Sequence, residues 1–108
     1  MPTIEIVRVV ENEVEIVRFD PPRLEVIPGE GIFFRNRDPK AEHWITKQGE
    51  AQDFWFRAPL APFTAPPPDV SSEIVFQGVP SENDGVVVYV CSLHPGEQGE
   101  IVVVQPEL

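Results

Sequence analysis

Alternation of apolar and polar residues is the dominant pattern along this chain. In "TIEIVRVV", Ile4 and Ile6 fall on one side and Glu5 on the other, as in a half-buried β-strand. Similar short segments follow, namely "EVEIVRF", "RLEVI", "GIFFRN", "HWIT", "EIVF", "VVVYV" and "EIVVV". Turn-forming stretches such as "DPPR", "PGEG", "VPSENDG" and "HPGEQG" separate them. About seven or eight short strands with frequent turns predict an all-β protein, an antiparallel sandwich or barrel.

One segment interrupts this rhythm, between Gln48 and Ser72. It contains Phe54, Trp55, Phe56 and several prolines. We expect a long connection that crosses between two sheets and packs through its aromatic side chains. Its proline triplet, 66–68, is more typical of a rigid loop than of a ligand for a proline-binding domain.

Length and composition predict one folded unit over residues 1–108. The chain has the size of an ordinary domain, and 42% of its residues are hydrophobic, which is enough for a core. Its 13 prolines argue against long helices. The single cysteine cannot form an internal disulfide, so it is free, intermolecular or a metal ligand.

The charge balance excludes some classes of partner. The formal net charge is −10, from 18 acidic and 8 basic residues, so the chain should repel nucleic acids and anionic lipids. A clustered acidic face would suit a basic partner, whereas scattered acids would serve solubility alone. No apolar run approaches the roughly 18 residues of a membrane span. The N-terminus lacks export-signal features, which predicts a cytoplasmic chain, or a mature or shortened form.

The stretch "YVCSLHPGEQGEIVVV" carries the candidate chemistry. Cys91 ends a predicted strand, and His94 and Glu97 follow in the next turn. Alternation should place Cys91 on the same inner side as Tyr89. Because loops from distant stretches gather at one end of a sandwich, His43 could join this group. A thiolate with two imidazoles suits copper electron-transfer sites, although a lone cysteine is often a small hydrophobe and a lone histidine often a surface residue.

Two blocks of the sequence resemble the cupredoxins, the small blue copper proteins. "LEVIPGEGIFFRNRDPKAEHWI" is similar to the region that leads to their first copper histidine, here His43. "YVCSLHPGEQGEIVV" is similar to their second block, with Cys91 and His94 in the ligand positions. The usual axial methionine is replaced by Glu97, and Met1 is the only methionine in the chain.

The resemblance implies a Greek-key β-sandwich that binds one copper ion through His43, Cys91 and His94. Glu97, Gln98 or a water would hold the axial position. It further implies an electron carrier and not an enzyme, a monomer with a redox partner protein, and an extracytoplasmic or periplasmic location. An axial carboxylate predicts a low reduction potential, because an added negative charge and a hard oxygen ligand both favour Cu(II).

The same residues also fit other functions. Cys, two His and Glu would also suit zinc, and a copper-storage module or an interaction domain with a vestigial site would have the same sequence features.

The resemblance implies that the Ser92 amide points at the thiolate and that Asn36 ties the two ligand loops together. Trp44 and Tyr89 are expected to pack and not to relay electrons.

Overall fold

The structure, a computed structural model, describes residues 2–50 and 53–106. Within these ranges the chain forms nine β-strands and one short 3₁₀ helix, Glu82–Gly85. The strands are β1 (Thr3–Glu11), β2 (Val14–Asp20), β3 (Arg23–Val26), β4 (Gly31–Asn36), β5 (Ile45–Lys47), β6 (Asp69–Val70), β7 (Ile74–Val75), β8 (Val86–Cys91) and β9 (His94–Val103). The all-β fold class predicted from alternation is confirmed.

The strands form two sheets. The first has the order β2-β1-β4-β6, with β7 also paired to β4, and the second has the order β3-β9-β8-β5. Both sheets are mixed, since β1 pairs with β4 in parallel and β3 pairs with β9 in parallel. The expectation of purely antiparallel pairing was therefore wrong for these two pairs. Period-two alternation reports which face of a strand is buried, and it carries no information on the direction of the neighbouring strand.

Alternate residues of the strands build the core between the sheets. Ile4 and Ile6 of β1 are completely buried, as is Phe34 of β4. From the second sheet, the Tyr89 ring meets Phe34 edge to face, with ring centroids 5.1 Å apart. Cys91 lies two residues further along β8 and has the same buried orientation. The alternation of β8 thus carries the thiol inward at the end of the sandwich.

The long connection predicted between Gln48 and Ser72 does cross between the sheets, from β5 to β6. Phe56 is buried in the core, and the ring of Phe54 stacks on Trp44 at a centroid distance of 3.6 Å. The short strand β6 lies inside this connection and was not expected. Ala51 and Gln52, which belong to the connection, and Met1 lie outside the described residues.

Strand β9 begins earlier than the sequence suggested. The stretch "HPGEQG", 94–99, was expected to form a turn, but β9 starts at His94 and Ser92 and Leu93 form the turn instead. The tight pairing of Cys91 with His94 explains the difference, because it closes the hairpin before the proline and glycine are reached.

Helical structure contributes little to the part of the chain that the structure describes. No helix in it is long and apolar enough to cross a membrane. That residues 1–108 form one domain stays a prediction.

Candidate metal centre

The β8–β9 hairpin brings Cys91 and His94 side by side. Cys91 is the last residue of β8, His94 is the first of β9, and the two are paired across the ladder. Cys91 Sγ lies 3.4 Å from His94 Nδ1. The sulfur and this imidazole nitrogen therefore face each other at the end of the sandwich.

An irregularity in the same hairpin directs Glu97 towards this pair. The register passes from Val90 opposite Gln98 to Cys91 opposite His94, so residues 95–97 are skipped by the ladder. A bulge of this kind re-aims side chains next to functional sites. Glu97 Oε1 lies 3.7 Å from His94 Nδ1, and the Glu97 side chain is only 16% exposed.

His43 reaches the same point from the loop between β4 and β5. Its backbone is fixed by a two-way pairing with Leu60, with His43 N to Leu60 O at 3.2 Å and Leu60 N to His43 O at 2.9 Å. The imidazole is completely buried, and its Nδ1 lies 3.1 Å from Glu97 Oε1. The predicted site residues His43, Cys91, His94 and Glu97 thus lie together, although they come from stretches about 50 residues apart in the chain.

Four donor atoms, one from each of these residues, lie within 4.8 Å of one another. Two of them, His43 Nδ1 and Glu97 Oε1, are buried and have no well-aligned hydrogen bond to the described residues. Buried polar atoms are seldom left unpaired in proteins. A cation placed among the four donors would satisfy both atoms, and donors that share one such ion commonly lie about 3–4 Å apart. The residues present therefore fit a metal ion.

The other nitrogen of His43 has a partner that the sequence did not reveal. His43 Nε2 lies 2.8 Å from Asp38 Oδ2, and both side chains are completely buried. Arg8 of β1 donates two hydrogen bonds to the Asp38 carboxylate, at 2.7 and 2.8 Å. The Lys40 amide donates another to Asp38 Oδ1 at 2.9 Å. The Asn-x-Asp pattern indicated only a loop, because Arg8 lies 30 residues away in sequence.

These contacts strongly shift the acidity of the buried groups. Burial by itself raises the pKa of Asp38, but the hydrogen bonds from Arg8 and His43 outweigh it and lower the pKa to about 2. Burial lowers the pKa of His43, whereas the facing groups of Cys91, Glu97 and Asp38 raise it to about 10. The metal-free centre therefore keeps His43 protonated at neutral pH, with its two nitrogens facing Asp38 and Glu97.

The thiol of Cys91 is also perturbed. Burial raises its pKa, but the His43 ring, the Trp44 backbone amide, the His94 ring and the Leu93 backbone amide together lower it to about 7. The Ser92 amide was expected in this role, and that expectation was wrong. Ser92 N donates to the Trp44 carbonyl at 2.8 Å, because the tight hairpin turns it towards β5.

Asn36 stabilises the site differently from the expectation. Its amide donates to the carbonyls of Ala41, Leu60 and Ala61, at 3.0, 3.1 and 2.9 Å. It thereby ties the His43 loop to the long connection and not to the hairpin that carries Cys91. Asn36 is buried at the end of β4, where it faces these carbonyls.

Gln98, the alternative axial residue, faces away from the cluster. It is exposed, and its Oε1 accepts a hydrogen bond from Gln48 at 3.5 Å. As its neighbour Glu97 points inward, Gln98 takes the opposite face of the strand. Tyr89 and Trp44 are packing residues as expected, since Tyr89 lies in the core and the Trp44 indole donates to the Phe56 carbonyl at 2.7 Å.

Comparison with solved structures finds the same architecture elsewhere. A purple cupredoxin from Nitrosopumilus maritimus aligns with a TM-score of 0.62 and 24% identity, over 96% of this chain and all of that one. Amicyanin from Paracoccus versutus aligns with a TM-score of 0.61 and 15% identity, over 95% of this chain and 80% of that one. The chain has the cupredoxin fold. No protein-family model and no curated protein sequence matches it.

The cupredoxin fold explains how the four residues meet. His43 follows β4 of the first sheet, and Cys91, His94 and Glu97 lie on the hairpin of the second. In this cupredoxin sandwich the two sheets bring both stretches to one end. The resemblance drawn from the sequence is thus confirmed for the fold.

Proposed function

We propose that this protein is a mononuclear copper protein that carries electrons. In this proposal the ion would be held by His43 Nδ1, Cys91 Sγ, His94 Nδ1 and Glu97 Oε1. When bound, copper would supply a one-electron couple between Cu(I) and Cu(II). One soft thiolate and two imidazoles accommodate both oxidation states.

The observation that carries the proposal is the convergence of four donor atoms within 4.8 Å, two of them buried and without a well-aligned hydrogen bond. The cupredoxin fold supports it independently. Similar solved structures include an amicyanin in its reduced Cu(I) form. The donors are held by two paired strands and by the Leu60 bridge, which would limit their rearrangement between oxidation states.

Electron exchange would occur through His94. Its Nδ1 faces Cys91, and its side chain is 39% exposed, whereas His43 is completely covered. The exposed edge of the His94 ring offers a contact point for a redox partner, and the net charge of −10 favours a partner with a basic surface. We further propose that the protein is a monomeric carrier that acts outside the cytoplasm.

The direct test is to load the protein with Cu(II) and record absorption and electron paramagnetic resonance spectra. We expect an intense visible band from the thiolate and a spectrum of one copper per chain. Cys91→Ser should abolish the band because the sulfur is removed. A wild-type protein that binds no copper, or binds it without the thiolate band, would contradict the proposed function.

Glu97 is expected to lower the reduction potential of this site. Glu97→Met removes a negative charge and a hard oxygen from the cluster, so the potential should rise by at least about 59 mV, a tenfold shift of the one-electron equilibrium. Potentiometric titration measures this change. The matched control is Glu100→Met on the same strand, where Glu100 pairs with Arg23 at 2.9 Å. Equal potentials in wild type and Glu97→Met would contradict a ligand role for Glu97.

Zinc binding is the second candidate. The inward position of Glu97 favours it, because Cys, two His and Glu would form a closed tetrahedral set. Competition between the two ions tests this candidate. Because most N, O and S sites bind Cu²⁺ more tightly than Zn²⁺, displacement of zinc by copper shows only that the site accepts copper, whereas zinc retained against one equivalent of copper supports a zinc protein.

A further inference from the structure

The Arg8–Asp38 pair stands behind the proposed ligand His43, on the side away from the other donors. The Asp38 carboxylate accepts from Arg8 Nε and a terminal guanidinium nitrogen, from the Lys40 amide, and from His43 Nε2. A carboxylate with four donors around it cannot rotate without losing several charge-assisted hydrogen bonds. Asp38 is therefore a fixed acceptor.

A fixed acceptor at Nε2 decides which nitrogen of His43 carries a proton. An ionised carboxylate can only accept, so Nε2 must donate. In the metal-bound form this leaves the lone pair on Nδ1, the atom that faces Cys91, His94 and Glu97. A carboxylate behind an imidazole also makes the ring a stronger donor. The hydrogen bond from Nε2 to Asp38 thus determines which nitrogen of His43 is free to bind the metal ion and how strongly that nitrogen donates its lone pair.

We propose that Asp38 is a positioning residue for the metal centre, and that Arg8 is the counter-charge that sets how strongly Asp38 acts on His43. The inference rests on the proposed function and extends it from the ligands to β1 of the first sheet. Because Arg8 is 20% exposed and Asp38 is completely covered, the pair joins the surface of the sandwich to the buried face of His43.

Opposite charge changes at the two residues should move the reduction potential in opposite directions. Asp38→Asn keeps the size of the side chain and an acceptor oxygen but removes the negative charge, so His43 Nδ1 should donate its lone pair to the metal ion less strongly. We expect the one-electron equilibrium to shift towards Cu(I) by about tenfold, a rise of about 59 mV. Arg8→Met leaves the carboxylate without its counter-charge, so the potential should fall below the wild-type value.

Three variants serve as controls. Arg8→Lys keeps the positive charge but loses the paired hydrogen bonds to Asp38, so its potential should lie between those of the wild type and Arg8→Met, which keeps the test valid if Arg8→Met folds poorly. Arg23→Met and Glu100→Gln make the same charge changes at an exposed ion pair, with side chains 57% and 39% exposed, and should move the potential far less. Screening by solvent accounts for the difference.

Proton positions can be read from the wild-type protein without any variant. Long-range ¹H–¹⁵N spectra of the zinc-loaded form should show a protonated Nε2 and a metal-bound Nδ1 on His43. A metal-bound Nε2 would overturn the inference.

The two proposals fail in different ways. Absence of the copper–thiolate band in the wild type would overturn the proposed function and the inference with it. A wild-type band, combined with potentials that stay unchanged or move in the same direction in Asp38→Asn and Arg8→Met, would overturn the role of the Arg8–Asp38 pair alone.

Discussion

At the scale of single residues, His43 connects the cluster of donor atoms to the Arg8–Asp38 pair. Its imidazole lies between the carboxylates of Asp38 and Glu97, at 2.8 and 3.1 Å, and is completely buried. The same contacts that raise its pKa in the metal-free protein orient Nδ1 towards the other donors. In the metal-free protein, a proton on Nδ1 would therefore compete with a metal ion for the same nitrogen.

Metal binding should consequently release protons. His43 has a pKa of about 10 and Cys91 a pKa of about 7 in the metal-free protein. Both must lose their protons to bind a metal ion, so the affinity for the ion should rise with pH. Below about pH 7 both groups are protonated, and binding should release two protons per ion. Between about pH 7 and 10 only His43 is protonated, and binding should release one proton per ion. Zinc calorimetry in two buffers of different ionisation enthalpy counts these protons.

A variant tests the origin of that proton release. Glu97→Gln removes one group that raises the pKa of His43, so the release should end at a lower pH than in the wild type. A wild-type protein that releases no proton on binding zinc at pH 8 would contradict the protonated state of His43.

At the scale of elements, the β8–β9 hairpin positions the donors through the packing of one aromatic residue. Tyr89 is completely buried, and its hydroxyl has no hydrogen-bond partner among the described residues. The ring fits only because the residue opposite is Gly99. A Cβ on Gly99 would overlap the hydroxyl and lie 2.5 Å from Cζ of the ring.

Gly99→Ala should therefore destabilise the protein by about 1–3 kcal/mol, because the rigid ring of Tyr89 must shift within the core. Urea denaturation measures the change. Gly96→Ala in the same strand is the matched control, since no atom lies within 4 Å of its Cβ position. Adding Tyr89→Phe to Gly99→Ala should restore only a small part of the stability, because ring carbon Cζ still overlaps the added Cβ, and a double variant as stable as the wild type would contradict the overlap with the ring.

Strand positions were largely predictable, because burial alternates along them. "GIFFRN" matches β4 without a shift, with buried Ile32, Phe34 and Asn36. Strand β6 was missed because two residues after three prolines carry no periodic signal. The start of β9 was missed because Pro95 and Gly96 are typical turn residues. In the structure they lie within β9, in the stretch 95–97 that has no paired residue on β8.

The candidate site was predictable only in part. His43, Cys91, His94 and Glu97 are separated by spacings that the resemblance could match. Asp38 was not predictable as their support, since its hydrogen bonds to Arg8 and His43 exist only once β1 and β4 are paired. The roles expected for Ser92 and Asn36 failed for the same reason, because they depend on where neighbouring carbonyls lie in the folded protein.

At the scale of the whole molecule, charge dominates. The net charge of −10 and the isoelectric point of about 4.4 make the protein strongly acidic at neutral pH. Several acids are already paired with cations, including Glu5 with Arg35 and Arg37. The remaining excess gives the surface a field that attracts cations and repels anions.

Electron exchange with small reagents should follow this field. A cationic cobalt complex is expected to react faster at low ionic strength and to slow as salt is added, whereas an anionic complex should show the reverse trend. Stopped-flow absorbance of the copper-loaded protein measures both rates. Rates independent of salt for both reagents would contradict electrostatic steering.

Burial is uneven across the four donors, and this has a consequence for how the protein is charged with metal. His43 and Cys91 are sealed inside the sandwich, whereas His94 is 39% exposed. An ion arriving from solution should therefore meet His94 before it reaches the buried His43. Because His94 is the exposed donor, a ligand that covers its ring should slow both the uptake and the release of a metal ion.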